Sequence, residues 1–216
     1  MKTPFQTVFR IAEFSHLESL VDCVQQSFPY PQGETMASRL GIRPEEYLPF
    51  TQLVCEKAIA DALSWVALDE SENVLGFCIS EPMYKAPRYS DFQLSTKFSA
   101  LFALLEELDN RYLSTTSADS KEMFHLYMLG VLPTFSGNGM GRELLRRSLN
   151  FAREKGFTLA VAEATGTRSQ TLCQSLGFET KASVAYDSFF FNGTQPFRDI
   201  KEPRTCILVE RDLYHL

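Results

Sequence analysis

Val131-Leu132-Pro133-Thr134-Phe135-Ser136-Gly137-Asn138-Gly139-Met140-Gly141-Arg142 is the stretch on which the reading of this chain turns. It follows an apolar run over 124–131 that predicts a buried strand, and precedes an amphipathic pattern over 142–155 that predicts a helix. Three glycines at alternate positions, Gly137, Gly139 and Gly141, therefore fall on a strand-to-helix turn. Glycine lets backbone approach a ligand closely and accepts positive φ. A helix start offers unpaired N–H groups and the positive end of a dipole, so such a turn suits a pyrophosphate. Glycines that serve only turn geometry would give the same string.

Two familiar phosphate loops fit poorly. A nucleoside-triphosphate loop needs Gly-Lys-Ser/Thr after its glycines, and Gly141-Arg142-Glu143 supplies neither the lysine nor the hydroxyl. A dinucleotide fingerprint needs a third glycine where Arg142 stands, although Glu163 lies at about the distance of a ribose-binding acid. Only 75 of the 216 residues follow Gly141, which leaves little room for a doubly wound sheet.

Length and composition narrow the classes. A chain of 216 residues predicts one domain, 1–216, with a substantial core. Net charge is −6 and no basic stripe is present, which argues against nucleic acid or an anionic membrane as partner. Cys23, Cys55, Cys78, Cys173 and Cys206 are scattered without a Cys-x-x-Cys pair and read as free thiols of a reducing compartment. Three separated histidines and unclustered cysteines offer no metal-ligand spacing. No apolar run approaches a membrane span and no leader-like segment follows Met1-Lys2, so a cytoplasmic protein is expected.

Along the chain, patterning predicts strands over 7–13, 64–68, 74–80, 124–131, 158–164 and 205–213. Helices are expected over 16–28 with Ser15 as N-cap, and over 44–63, 92–112, 142–155 and 167–176. Pro29-Tyr30-Pro31 breaks the first helix, Glu70-Ser71-Glu72-Asn73 reads as a hairpin turn, and 114–120 reads as a loop. Phe189-Phe190-Phe191-Asn192-Gly193 reads as a strand entering a turn. The alternation implies an α/β or α+β domain with a mixed sheet.

Val131, Pro133, Gly139 and Gly141 match in register the Val-x-Pro-x-x-(Gln/Arg)-x-x-Gly-x-Gly/Ala loop of the GNAT superfamily of N-acetyltransferases, with Ser136 where Gln or Arg is usual. Leu172-Cys173-Gln174-Ser175-Leu176-Gly177-Phe178 resembles the Leu-Tyr-x-Lys-Leu-Gly-Phe helix end of the same superfamily. The resemblance spans 8–213. It implies a GNAT acyl-CoA N-acyltransferase fold, a central splayed mixed β-sheet flanked by helices. It implies acetyl-CoA as cosubstrate without a metal. Leu129, Gly130 and Val131 would offer backbone to the pantetheine arm, and Ser136, Gly137, Asn138, Gly139, Met140, Gly141 and Arg142 would hold the pyrophosphate. Gly130 is consistent with close backbone approach there.

The segment 28–41, Phe-x5-Glu-Thr-Met-x-x-x-Leu-Gly, resembles invertebrate arylalkylamine N-acetyltransferases, as does Ala185-Tyr186-Asp187-Ser188-Phe189 with Asn192-Gly193 and Pro196-Phe197. That subfamily's general base would be Glu34, with Thr35 replacing the usual proline. His125, six residues before Val131, is the second possibility, because histidine titrates near neutrality. Strand alternation would put His125, Tyr127, Leu129 and Val131 on one face. Ser169 and Thr165 match hydroxyl positions of that subfamily, in catalysis or contact with the cosubstrate, or as helix caps. Cys173 stands where many acetyltransferases have a tyrosine acid and reads as a small buried residue. Phe28, Tyr30, Tyr186 and Phe189 are the expected amine pocket. The resemblance implies direct attack on acetyl-CoA by a small primary amine of the dopamine, tyramine or serotonin type, with no covalent enzyme intermediate. The chain is expected to work as a monomer or weak dimer. A polyamine or protein amine as acceptor, or a CoA-binding regulatory module without turnover, are the alternatives.

Overall fold

The computed structural model describes residues 7–28, 35–86 and 94–214. Seven strands form one mixed sheet in the order β1-β2-β3-β4-β5-β7-β6. They are β1 Val8–Ile11, β2 Trp65–Leu68, β3 Val74–Pro82, β4 Met123–Val131, β5 Leu159–Ala164, β6 Glu179–Ala185 and β7 Thr205–Asp212. All neighbours are antiparallel except β4 and β5. Helices α1 Leu17–Ser27, α2 Thr35–Arg39, α3 Pro44–Asp61 and α4 Phe98–Leu113 lie over one face of the sheet. Helices α5 Met140–Glu154 and α6 Thr167–Ser175 cover the other.

Local chemistry explains the joints. The β2–β3 hairpin turns on Asp69, whose Oδ1 accepts the N–H groups of Ser71 at 2.9 Å and Asn73 at 2.8 Å. Helix α5 buries Met140, Leu144, Leu145, Ser148, Leu149 and Ala152, a three-and-four spacing that gives it one apolar face. Gly177 ends α6 at φ +80°, a conformation costly to any residue with a Cβ. Among the described residues no helix is long and apolar enough to cross a membrane.

Several expectations need correcting. The expected turn at Asn192-Gly193 is present, but the strand entering it is reduced to a single Phe191↔Thr194 bridge, and β6, on the far side of β7 from β5, is a strand the patterning did not predict. Its sequence, Glu-Thr-Lys-Ala-Ser-Val-Ala, has one fully buried residue on an edge and so shows little apolar alternation. Helix α4 begins at Phe98, because Thr96 and Lys97 form a turn and Leu94 and Ser95 are irregular, and residues 92 and 93 lie outside the described residues. Ser15 sits inside a short 3₁₀ turn, Phe14–His16, whose N-cap is Glu13, rather than capping α1. The short helix α2 carried no periodic signal in five residues.

The face assignment along β4 holds only halfway. Ile79 pairs with Met128 but Ser80 pairs with Leu126, so Tyr127 is the extra residue of a β-bulge. His125 and Tyr127 share a face, with ring centroids 5.5 Å apart. The bulge then resets the alternation, and Leu129 and Val131 pack with α5 and α6 on the opposite side.

Candidate functional site

Strands β4 and β5 pair through only three rungs, Met123↔Leu159, Phe124↔Ala160 and His125↔Val161. Beyond them β4 stays with β3 as far as Gly76↔Val131, and β5 stays with β7 as far as Ala164↔Ile207. A wedge therefore opens between 126–131 and 162–164, lined by backbone edges without strand partners across it. A cavity of about 520 Å³ runs through it.

The glycine-rich turn forms the outer mouth. Gly137 and Gly139 have φ of +83° and +79°, and a Cβ built on either meets nothing within 4 Å, so both face open space. Gly139 is the N-cap of α5, whose first bond runs from the Glu143 N–H to the Gly139 carbonyl at 3.0 Å. The N–H groups before Glu143 thus lie at the open helix end, where an anion is favoured. Arg142 lies exposed beside them and donates from Nη2 to Ser175 Oγ at 2.7 Å. Ser136, Gly137, Gly139, Met140, Gly141 and Arg142 line the cavity, while Asn138 is exposed on the turn outside that lining. These open glycines and the adjoining wedge fit a pyrophosphate with an extended arm.

Leu129, Gly130 and Val131 line the middle of the cavity. The reason for Gly130 differs from the expected one. A Cβ there would lie 2.4 Å from Cζ of Phe77, so the glycine makes room for a packed ring. Ser169 and Thr165 also line the cavity. Ser169 Oγ accepts the Gly166 N–H at 3.2 Å and donates to the Gly166 carbonyl at 2.9 Å, fastening the start of α6. Cys173 lines the cavity but is buried, and burial with Cys78 nearby pushes its thiol up to about 12. It is a neutral thiol at physiological pH.

The inner end is aromatic. Phe28 just past the end of α1, Tyr47 and Phe50 from α3, Phe98 and Phe102 from α4, and Tyr127 from β4 line it. Tyr47 meets Phe50 edge-on at 5.3 Å, and Phe50 lies 6.4 Å from Tyr127. Of the expected pocket residues that are described, Phe28, Tyr186 and Phe189, only Phe28 is found here. Tyr186 is fully buried behind the wedge, its hydroxyl donating to the Thr165 carbonyl at 2.6 Å. Phe189 stacks on Phe197 at 5.8 Å. Neither belongs to the described lining. Tyr30 and Glu34 lie outside the described residues. The missed aromatics occur as Tyr47-x-x-Phe50 and Phe98-x-x-x-Phe102, helical spacings that an ordinary core face shares.

Beneath the aromatic end lies a buried ionic cluster. His125 Nε2 is 2.8 Å from Glu163 Oε2, and Nδ1 is 3.2 Å from Glu81 Oε1. Lys57 Nζ reaches Glu81 Oε2 at 2.7 Å and Asp61 at 2.5 Å. Burial alone would depress the His125 pKa. The carboxylates of Glu163 and Glu81 outweigh it and hold the ring charged, well above its ordinary value. This corrects the expectation for His125. An imidazolium donating from both nitrogens has no lone pair with which to take a proton. Glu163, weighed above as a ribose acid, is this histidine's partner.

One oxygen each of Asp109 and Glu163 is buried without a donor when both groups are ionised. The two carboxyls are in hydrogen-bond contact. Burial and the Glu163 charge push Asp109 up to about 9. Asp109 therefore keeps its proton and donates it to Glu163, which satisfies both oxygens. Burial would raise Glu163 too, but the His125 charge and the Asp109 donor hold it below its ordinary value. Among the described residues, no group of side chains has the arrangement of a metal site.

Comparison with known proteins bears on this geometry. A model of the acetyltransferase (GNAT) family matches residues 34–178. Arylalkylamine N-acetyltransferase 2 from Aedes aegypti superposes with a TM-score of 0.82 at 21% identity, over 96% of this chain and 99% of that one. The C-terminal condensation domain of Ebony, in complex with beta-alanyl-dopamine, gives 0.86 at 17% identity, over 96% and 99%. A Drosophila melanogaster polyamine N-acetyltransferase that forms N-acetylagmatine gives 0.73 at 19% identity, over 96% and 100%.

Proposed function

The chain belongs to the GNAT family of acetyltransferases, its activity is acetyl-CoA-dependent N-acetyl transfer, and we propose that the acceptor is an arylalkylamine such as dopamine, tyramine or serotonin. The observation that carries this reading is the inner end of the cavity. Six aromatic rings line it, and Glu163 is the one carboxylate among the described lining residues. Glu163 is already bonded to His125 and Asp109, so the inventory suits an aromatic ring joined to a single amine rather than a body with several charges. A polyamine, charged at both ends, asks for a second carboxylate. Similar folds include both arylalkylamine and polyamine enzymes, so the fold leaves this choice to the pocket.

Acetyl-CoA supplies the thioester. In this reading the turn at 136–142 holds the pyrophosphate through backbone N–H groups and the helix end. Arg142, exposed at the same helix start, adds a side-chain charge. Backbone of Leu129, Gly130 and Val131 faces the wedge and aligns the arm. Any N–H there aimed at the thioester carbonyl would stabilise charge developing on its oxygen. The acceptor must lose a proton before it attacks. Glu34 fills that role by resemblance, since His125 is committed to its two carboxylates. Ser169 holds the start of α6 against the cavity and keeps the wall in place. The amine attacks the thioester carbonyl directly, the C–S bond breaks with CoA leaving as a thiolate that takes up a proton from solvent, and Cys173 is dispensable as a nucleophile.

Steady-state thiol release tests this. With acetyl-CoA and tyramine both varied, the double-reciprocal lines should intersect, and the intact protein should gain no mass from acetyl-CoA alone. Parallel lines with an acetylated protein would replace direct transfer by a covalent route. Measurable CoA binding without turnover on any amine would favour the regulatory module.

A further inference from the structure

Strands β4 and β5 part directly after the rung His125↔Val161. At that place a side-chain bridge spans the two strands. His125 on β4 reaches Glu163, two residues past the last rung on β5, at 2.8 Å. Glu81 of β3 holds the other ring nitrogen. Asp109 of α4 donates to the remaining Glu163 oxygen. The side chains of His125, Glu81 and Glu163 are only 4%, 5% and 8% exposed.

The competing arrangement is easily stated. Backbone groups of 126–129 and 162–164 face one another across the wedge, and closing it would let them pair as ordinary parallel strands. Something must hold them apart. Buried ion pairs contribute little net stability, because desolvation offsets their attraction, and an apolar pair of similar size does as well. What a bridge bonded on both sides does supply is one fixed separation.

We propose that the His125–Glu163 bridge, backed by Glu81 and Asp109, props the acyl-CoA wedge open, making His125 and Glu163 positioning residues for the cosubstrate arm. The proposal rests on the acetyl-CoA reading of the wedge. The groups facing the imidazolium are Glu81 from β3, Glu163 from β5 and Tyr127 from its own strand. Asp109 with Glu106 on α4, and Lys57 with Asp61 on α3, stand behind them.

The decisive protein is the double variant His125→Leu with Glu163→Leu. It leaves Glu81 paired with Lys57, and Asp109 free to stay protonated. Asp109 loses its acceptor and Glu81 one donor, so the variant should unfold cooperatively a few degrees below wild type. In the absence of any ligand, amides within 126–129 and 162–164 should exchange at least tenfold more slowly than in wild type. Acetyl-CoA should bind at least tenfold more weakly by calorimetry. Wild-type affinity for acetyl-CoA should fall as pH rises through the raised folded value of His125, and the double variant should lack that step. Unchanged exchange together with an affinity within twofold of wild type would overturn the proposal. Failure of wild type itself to bind acetyl-CoA would instead overturn the reading of the wedge, and the exchange comparison would still decide whether the bridge props the strands. If the double variant does not fold, Glu163→Gln carries the test. It keeps an oxygen for the ring N–H, and it should weaken acetyl-CoA binding several-fold by calorimetry without amine; an unchanged affinity would overturn the proposal.

Discussion

Single atoms decide the two most consequential residues on β4. Gly130 looked from sequence like a place of close ligand approach, but a Cβ there would strike the Phe77 ring at 2.4 Å. Gly130→Ala should therefore destabilise the protein by about 1–3 kcal/mol in urea unfolding, the range for overpacking a tight core. Adding Phe77→Leu should recover most of that loss. His125 read as a second base because its intrinsic pKa lies near neutrality, and nothing in the sequence announced its partners. Glu81 and Glu163 lie 44 and 38 residues away. With its folded pKa raised, the ring binds more protons in the folded state than in the unfolded one. Its contribution to stability is therefore full below the unfolded value of about 6.5 and is lost as pH rises through the higher folded value. Its ring proton resonance should stay at the imidazolium position from pH 5 to 8. A midpoint near 6.5 would contradict that.

At the scale of elements, the turn before α5 was legible in full, because glycine spacing and a strand-to-helix junction are local signals. Gly139→Ala tests it. The added methyl has open space, so the cost comes from φ +79° alone, roughly 1–2 kcal/mol. If that strain falls on the binding geometry, KM for acetyl-CoA should rise roughly 5- to 30-fold with kcat nearly constant. A fall in kcat at unchanged KM would place the turn's role elsewhere. Strand β6 shows the opposite case. As an exposed edge it carries too few apolar residues for a period of two, whereas the nearby run Phe189-Phe190-Phe191 carries the stronger strand signal. The β4 bulge left no trace in sequence either, since Tyr127 suits a strand whether or not it has a partner.

Across the whole molecule, the order of elements and two loop motifs were enough for the family and the fold. The pocket was not readable, because its walls come from four separate elements that meet only in space. Phe50 and Phe102 are indistinguishable in sequence from core residues, and most of their neighbours are core. The net charge of −6 also gave no location for the carboxylate that matters. Enlarging the pocket should show its part in selection. Phe50→Ala should lower kcat/KM for tyramine by at least tenfold while leaving KM for acetyl-CoA within about twofold. The most direct measurement of the central claim is the ratio of kcat/KM for tyramine to that for agmatine, from thiol release at saturating acetyl-CoA. An aromatic pocket holding a single ammonium group predicts a ratio of ten or more. A ratio below one would contradict it and make the acceptor a polyamine.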